Sequence, residues 1–253
     1  PGKEGWFMRN YAKETAARVE YIRAYLRESG ARGIVFGNSG GKDSALVGIL
    51  CKLACEDTVG IIMPCASKRN YGMDRDDGME VAEKFHIETR TVDLTPVREA
   101  ELAALAGVTE LTEMAVANIA PRLRMLTLYA IAHAEGRMVA GTGNASEAYV
   151  GYFTKWGDGA YDLNPIADLT VGETYEFLEH LGAPRSVIEK APSAGLFEGQ
   201  TDEAEMGLSY ADIDAVVLGR AVDEAARAKI ERMHRVTEHK RRMPSRYGEG
   251  QSV

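Results

Sequence analysis

The segment IVFGNSGGKDSALVGIL, residues 34–50, decides the fold of this 253-residue chain. It begins with a short apolar run, continues through a glycine-rich turn, and returns to apolar residues at helical spacing from Leu46 onwards. An apolar run followed by a helical period predicts a strand, a loop and a helix. Glycines at such a junction let backbone N–H groups converge on an anion at the helix N-terminus. The segment therefore predicts a phosphate-binding loop.

The loop itself, GNSGGKDS at residues 37–44, differs from the Walker A loop. A Walker A loop has four residues between its first glycine and the Gly-Lys pair, and a hydroxyl residue follows the lysine. Here the spacing is one residue shorter and Asp43 follows Lys42. Asp43 can hold Mg2+ while Ser39, Ser44 and the backbone bind a departing pyrophosphate, which indicates nucleotidyl transfer. A chance glycine turn is the alternative, and the strand-loop-helix context disfavours it.

The alternation of apolar runs and helical periods continues along the chain. A helix at residues 12–26 precedes the loop, and strands follow at 59–63, 89–92 and 138–140 with helical stretches between them. One of these stretches extends from about 112 to 133, and Pro121 is expected to start or kink its second half. Short apolar strands alternating with helices indicate a parallel sheet covered on both faces. The last strand also ends in a glycine turn, so two such turns lie where open α/β sheets bind their ligands.

The composition of the chain limits the binding partners and the cellular location that can be expected. Lys and Arg total 30 against 38 Asp and Glu, and a net charge of -8 disfavours a nucleic-acid partner. No apolar run approaches the ~20 residues that a membrane helix needs. Cys51, Cys55 and Cys65 are an odd number, which favours a reduced, cytoplasmic location. The CxxxC pair is interpreted as small buried apolar residues rather than as metal ligands.

Two levels of resemblance follow from the motifs. SGGKDS at residues 39–44 resembles the SGGxDS signature of the ATP pyrophosphatase superfamily, whose members cleave ATP between the α and β phosphates. The later motifs resemble those of NAD+ synthetases, and the resemblance extends from the loop to His239 and Lys240. These motifs are GTGNASE at 141–147, GYFTKWGDG at 151–159, DLNPI at 162–166, PSAGL at 192–196 and GQTDE at 199–203.

The resemblance implies a fold and a reaction. The expected fold is an open, mostly parallel five-stranded sheet with helices on both faces, Rossmann-like and of the ATP pyrophosphatase type, in a single domain over residues 1–253. The implied reaction is the ATP-dependent amidation of deamido-NAD+ to NAD+, through an adenylated carboxylate with release of AMP and pyrophosphate. Too few residues precede the first helix for a glutaminase domain, so ammonia is the expected nitrogen donor. A homodimer is expected, with its interface around residues 114–133.

The resemblance also implies roles for individual residues. Asp43 and Glu147 match the ligands of Mg2+. The positions that match ATP contacts are Gly37, Asn38, Ser39, Gly40, Gly41, Lys42, Asp43, Ser44, Thr142 and Ser193. The positions that match deamido-NAD+ contacts are Arg122, Lys155, Asp162, His239 and Lys240.

Each of these residues also has a simpler interpretation. Glu147 could cap a helix, Arg122 and Lys155 could be solvated, and His239 with Lys240 could belong to a charged helical face. Two polar segments, residues 67–74 and 193–207, are interpreted as lids that order when substrates bind. Asp158 and Asp168 lie near the motifs and receive no role.

The sequence departs from the NAD+ synthetase pattern at three positions. Val171 stands where the family usually has a lysine that contacts ATP, Ala145 stands where many members have another lysine, and Pro121 replaces an alanine. Two alternatives to NAD+ synthesis therefore stay open. One is a related amidotransferase subunit with a glutaminase partner, and the other is a nucleotide-binding sensor without catalysis.

Overall fold

The computed structural model describes residues 9–66, 72–190 and 202–247. The strands are β1 (Gly33–Gly37), β2 (Thr58–Ile62), β3 (Glu88–Thr91) and β4 (Arg137–Ala140). The helices are α1 (Tyr11–Ser29), α2 (Lys42–Ala54), α3 (Met73–Phe85), α4 (Thr95–Leu105), α5 (Glu113–Ala117), α6 (Ile119–Glu135), α7 (Ala145–Val150), α8 (Val171–Leu181), α9 (Arg185–Ile188), α10 (Asp202–Met206), α11 (Tyr210–Val217), α12 (Glu224–Val236) and α13 (Glu238–Arg241).

All strands of the sheet are parallel, in the order β3-β2-β1-β4. The chain moves outward from β1 to β2 and β3, then returns to place β4 on the other side of β1. Phe36 of β1 is in register with Ala140 of β4, so both strands end at the same edge of the sheet. A crevice forms outside the carboxyl ends of parallel strands where the strand order reverses. The predicted parallel α/β fold is confirmed, and its reversal point is at β1.

The expectation of five strands is wrong for the part of the chain that the structure describes, where the sheet has four. A single parallel bridge joins Ala140 of β4 to Leu163, at the edge of the sheet where a fifth strand would pair with β4. The Asp162 side chain accepts the Val139 N–H at 2.8 Å, a donor that a strand would pair with a backbone carbonyl. Pro165 follows and has no N–H to donate, so the ladder does not continue.

Alternation along the strands divides the core between the two faces of the sheet. Ile34 and Phe36 pack against the helices α1, α2 and α8, together with Phe177, and all three side chains are buried. Val35 and Val139 face the opposite way, towards α6. Successive strand residues point to opposite faces, so this short apolar run supplies both halves of the core.

The long helix predicted from residue 112 to 133 is divided in the structure. The helix α5 ends at Ala117 and α6 begins at Ile119, with Asn118 between them. Pro121 lies in the first turn of α6, where a residue without an N–H leaves no helical hydrogen bond unmade. The helical segment near the C-terminus is divided in the same way, into α12 and α13, with Thr237 between them.

The remaining sequence expectations concern membranes and cysteines. Within the described residues, no helix is both long and apolar enough to cross a membrane. Cys51 and Cys65 are buried, Cys55 is partly buried, and all three are free thiols. Burial raises the pKa of the Cys51 thiol, which suits an unreactive residue packed in the core. The interpretation of Cys51 as a small buried apolar residue is therefore confirmed.

The C-terminal helices form a third cluster beside the end of β4. Val150 of α7 packs with Ile213 of α11 and Ile230 of α12, and all three side chains are buried. Gly151 ends α7 with a φ of 71°, and an added Cβ there would lie 2.3 Å from Cβ of Thr237. The close approach at Gly151 therefore fixes how the C-terminal helices meet α7.

We expect Gly151→Ala to lower the free energy of unfolding by about 2–4 kcal/mol, because it adds overpacking to the cost of a left-handed backbone. Gly219→Ala is the matched control, since Gly219 has a φ of 69° and nothing lies within 4 Å of an added Cβ. That variant should lose only about 1 kcal/mol. Urea unfolding measures both, and equal losses would contradict the packing argument.

Candidate active site

The predicted phosphate loop connects β1 to α2 and is held tightly against α3. Gly40 has a φ of 71°, and a Cβ added there would lie 1.9 Å from the Asp74 carbonyl oxygen. The Asn38 amide donates to the Gly78 carbonyl oxygen at 3.0 Å, and its own oxygen accepts from the Gly40 N–H at 3.3 Å. Asn38 is buried, so in this structure it anchors the loop to α3.

Two serines give the loop its shape. The Ser44 hydroxyl donates to the Gly41 carbonyl oxygen at 3.0 Å and accepts from the Ser39 N–H at 3.3 Å. The Gly41 N–H donates to the Ser39 hydroxyl, also at 3.3 Å. These contacts hold the curved backbone in front of the α2 N-terminus, which is the geometry that binds phosphate groups.

Two acidic side chains face each other across the crevice. Asp43 is in the first turn of α2, and Glu147 is in the first turn of α7, which follows the second glycine turn. Asn144, fully buried, joins them: its side-chain amide donates to Asp43 Oδ1 at 3.1 Å and its backbone N–H to Glu147 Oε2 at 3.2 Å. Glu147 thus caps α7, as its simpler interpretation proposed, and also contributes a carboxylate to the site.

The charges of this pair are strongly coupled to Lys42. Burial raises the pKa of the Glu147 carboxyl, and the Asp43 carboxylate raises it further against the opposing effect of Lys42. Burial lowers the pKa of Lys42, but the charges of Asp43 and Glu147 outweigh burial and leave that pKa above its ordinary value. The site therefore holds an ammonium group beside two carboxyl groups with little solvent around them.

The carboxylate pair fits Mg2+ better than a metal enclosed by protein ligands. Among the described residues, no group of three or more His, Cys, Asp or Glu side chains could hold a metal ion. Mg2+ is usually bound by one or two carboxylates together with water and the phosphates of a substrate. Asp43 and Glu147, beside a phosphate loop, are such a set of oxygen donors.

Both glycine turns open into one cavity of about 580 Å³. Its walls include the loop at 37–44, Thr142 of the second turn, Glu147, and Lys240 from the C-terminal helix α13. The structure thus brings together the predicted metal ligands, the predicted ATP contacts that it describes, and Lys240. Ser193 lies outside the described residues, as do parts of both predicted lids, at 67–71 and 191–201.

The remaining predicted substrate contacts form two groups. Arg122, Lys155 and His239 touch one another: an Arg122 N–H donates to the Lys155 carbonyl oxygen at 3.3 Å, and Lys155 Nζ to the His239 carbonyl oxygen at 2.7 Å. None of these three is among the described residues that line the cavity. Asp162 lies at the sheet edge, where Tyr129 and the Val139 N–H donate to its two oxygens.

Lys240 lies between these rim residues and the cavity. Its Nζ donates to the carbonyl oxygens of Gly151 and Phe153, each at 2.8 Å, and lies 5.4 Å from the centre of the Phe153 ring. Burial lowers the pKa of Lys240, against the opposing charge of Asp158. The simpler interpretation of Lys240 as part of a solvated charged face is therefore wrong.

Known proteins with similar sequences identify the family. A profile described as NAD synthase matches residues 14–244. The chain belongs to this family. The NH(3)-dependent NAD(+) synthetase of Carboxydothermus hydrogenoformans is 44% identical over 238 residues, which cover 93% of this chain and 97% of that protein. The enzyme of the same description from Archaeoglobus fulgidus is 40% identical, with 93% and 96% of the two chains covered.

Solved structures agree with the NAD synthase assignment. The NMN synthetase of Francisella tularensis superposes with a TM-score of 0.90 at 36% identity, over 95% of this chain and all of that one. The NAD+ synthetase of Burkholderia pseudomallei superposes with a TM-score of 0.77 at 33% identity, over 94% of this chain and 92% of that one.

The structure shows the surroundings of the three residues that depart from the NAD synthase pattern. Val171 is buried in the C-terminal apolar cluster, and its N–H donates to the Ser146 hydroxyl. Ala145 is the first residue of α7, and Pro121 is buried while Arg122 beside it is exposed. In this member of the NAD synthase family, the first turn of α8 therefore supplies packing in place of a cation.

Three cationic side chains that line the cavity were missed from the sequence: Arg75, Arg124 and Lys190. Lys190 Nζ donates to the Gly40 carbonyl oxygen at 3.1 Å, to Asp74 at 2.8 Å and to Asp77 at 2.6 Å. Arg124 donates to the Met63 carbonyl oxygen at 3.2 Å at the end of β2. The nearest sequence signals were the PSAGL motif, which begins two residues after Lys190, and the predicted contact Arg122, two residues before Arg124.

We expect Asn144→Ala to lower the free energy of unfolding by about 1 kcal/mol and to weaken the binding of Mg2+-ATP about tenfold. Asp223→Ala is the matched control, because Asp223 caps α12 far from the cavity and accepts from Ala225 and Ala226 N–H groups. It should lose similar stability but keep nucleotide binding. Thermal shifts with and without Mg2+-ATP measure both, and equal losses of binding would contradict a role for Asn144 in the site.

Proposed function

We propose that this protein amidates deamido-NAD+ to NAD+ with ATP and ammonia, through an adenylated carboxylate that leaves AMP and pyrophosphate as by-products. The observation that carries the proposal is the carboxylate pair of Asp43 and Glu147, joined by Asn144, beside a loop shaped for phosphate. Family membership and the printed names of the relatives support the same reaction.

The chain's own residues would bind and orient the nucleotide. The loop at 37–44 would hold the phosphates at the α2 N-terminus, whose backbone N–H groups favour negative charge. Thr142 and Ser193 would complete the ATP contacts. Asp43 and Glu147 would hold Mg2+, which when bound offsets the negative charge that develops on the leaving pyrophosphate. Positioning and charge stabilisation thus suffice, without a protein nucleophile.

The part of the cavity beside Lys240 would bind deamido-NAD+. Arg122, Lys155 and His239 form one contact group at the rim, and Lys240 extends from it to the cavity wall. Asp162 would also contact deamido-NAD+, while its two oxygens hold Tyr129 and β4 through the hydrogen bonds that they accept. Enclosing the adenylate would keep water from competing with ammonia. The single-domain organisation and the two lids stay predictions; protease sensitivity that substrates leave unchanged would contradict the lids.

A product assay tests the reaction. The protein is incubated with ATP, Mg2+, deamido-NAD+ and either ammonium or glutamine, and chromatography follows AMP, pyrophosphate and NAD+. We expect NAD+ with ammonium only, in step with AMP. Asp43→Asn and Glu147→Gln should each lower the rate at least about a hundredfold, since each removes charge stabilisation at the leaving group. Glu20→Gln, an exposed carboxylate paired with Arg27, is the control that should keep full activity.

Other outcomes of the assay point elsewhere. AMP without NAD+ would indicate a different acyl substrate, as expected of a related amidotransferase subunit. Neither product would favour the nucleotide-binding sensor. One further substrate has a specific observation behind it, the TM-score of 0.90 to a protein named NMN synthetase. Nicotinic acid mononucleotide is therefore compared with deamido-NAD+, and a higher kcat/KM for the mononucleotide would replace the proposed substrate.

A homodimer through the helices around residues 114–133 is part of the proposal. Met114 of α5 and Leu126 of α6 are 55% and 60% exposed, so both helices of this segment carry exposed apolar side chains. We expect sedimentation to show a dimer and Leu126→Glu to dissociate it. Val97→Glu, at a 46% exposed position on α4, is the matched control and should leave the dimer intact. A monomeric unmodified protein would contradict the proposal.

We propose a cytoplasmic location on the evidence of the cysteines. Cys51, Cys55 and Cys65 are all free, as is usual in reducing compartments. Fractionation of cells that express the full chain would test this, and recovery with an extracytoplasmic fraction would contradict it.

A further inference from the structure

Lys42 has an unusual setting for a residue of a phosphate loop. Its side chain is 6% exposed, and Nζ lies 2.7 Å from Asp43 Oδ2. The centres of the Tyr175 and Tyr210 rings lie 5.8 and 5.7 Å from the same nitrogen. The ammonium group therefore lies within the protein, between two aromatic rings and a carboxylate, where ring faces and the negative charge both attract it.

The two rings are themselves fixed in place. Tyr210 is 4% exposed, and its hydroxyl donates to Asp202 at 3.1 Å. The Tyr175 hydroxyl donates to the Lys190 carbonyl oxygen at 2.8 Å. The helices α8 and α11 thus present a prepared enclosure to Lys42, which distinguishes this lysine from a flexible side chain that samples the cavity.

Both oxygens of Asp43 have donors in this arrangement. Oδ1 accepts from the Asn144 amide at 3.1 Å, and Oδ2 accepts from Lys42 at 2.7 Å. Glu147 accepts from the Asn144 backbone N–H, on the other side of the same asparagine. A divalent cation that binds Asp43 therefore competes with a positive charge already there.

We propose that Lys42 is a resident counter-cation of the Asp43–Glu147 pair, which keeps divalent metal from binding the free protein and makes metal binding depend on the nucleotide. The inference rests on the proposed function, because it assigns the pair to a metal. The triphosphate supplies further oxygen ligands and negative charge, which offset the repulsion between Lys42 and the metal. Metal and nucleotide then bind together, and the empty protein keeps an electrically compensated site.

The test uses Mn2+ as a probe for the metal and needs no turnover. Electron paramagnetic resonance measures free Mn2+ during titrations of the full chain, with and without a non-hydrolysable ATP analogue. We expect the unmodified protein to bind Mn2+ at least about tenfold more tightly with the analogue than without it. Lys42→Met should raise the affinity without nucleotide by about tenfold or more, since one charge is removed from a poorly solvated pair.

Two further variants test whether the gain in Mn2+ affinity comes from removing the charge beside Asp43. Lys52→Met removes the same charge from an ion pair with Glu56 that does not line the cavity, and should leave Mn2+ affinity without nucleotide unchanged. Adding Asp43→Asn to Lys42→Met should abolish the gain. Unchanged affinity in Lys42→Met, or a gain that persists in the double variant, would overturn the proposal.

The design stays informative if Lys42→Met does not fold. Lys42→Gln keeps a hydrogen-bond donor towards Asp43 while it removes the charge, and it should show the same gain. Tight Mn2+ binding by the unmodified protein without nucleotide would overturn the proposal with no variant at all. Because the readout is binding, its failure is separate from a failure to form NAD+ in the product assay.

Discussion

The site depends on one buried residue, Asn144, which forms hydrogen bonds to two carboxyl groups that repel each other when both are ionised. Its amide binds Asp43 and its backbone binds Glu147, so both acidic groups keep fixed positions in a cavity with little water. Burial raises the pKa of the Glu147 carboxyl, and the nearby Asp43 carboxylate raises it further. A cation or a metal is the natural complement, and the chain provides Lys42 for the first role. Local geometry thus creates an electrostatic requirement that a magnesium-bound triphosphate would satisfy.

The order of the strands explains why Asp43 and Glu147, which are far apart in the sequence, meet in one crevice. Because β4 lies directly beside β1 in register, the loop after Gly37 and the turn after Ala140 leave the sheet side by side. Each strand is followed by a helix whose first turn carries one carboxylate, Asp43 in α2 and Glu147 in α7. The C-terminal helices close the remaining side through contacts such as Lys240 with Gly151. The reversal of strand order is therefore what makes a crevice with acidic groups on two walls.

Local sequence patterns predicted what local forces determine. The strand-loop-helix segment, the parallel sheet and the two glycine turns depend on residue spacing and backbone freedom, and these were correct. Spacing predicted the four strands that the sheet has, whereas the fifth was implied by the family resemblance; within the described residues the Asp162 side chain takes the β4 donor that a fifth strand would use. Asn38 lines the cavity and stays a predicted ATP contact, while its amide also holds the loop to α3. Lys190 and Arg124 carry no motif, and only folding brings them to the cavity.

The replacement of a family lysine by Val171 shows how the charges of the site are distributed. Val171 packs in the apolar cluster, and the Ser146 hydroxyl that accepts its N–H donates in turn to Asp214. The first turn of α8 is thus satisfied by a neutral hydroxyl and a carboxylate, and a cation there is unnecessary for the fold. Lys42 and Lys190 supply positive charge to the cavity instead. Lys42 contacts Asp43, and Lys190 donates to the Gly40 carbonyl oxygen. Both lysines contact carboxylates in this structure, so the cations expected to meet the phosphates also balance the acidic side chains around them.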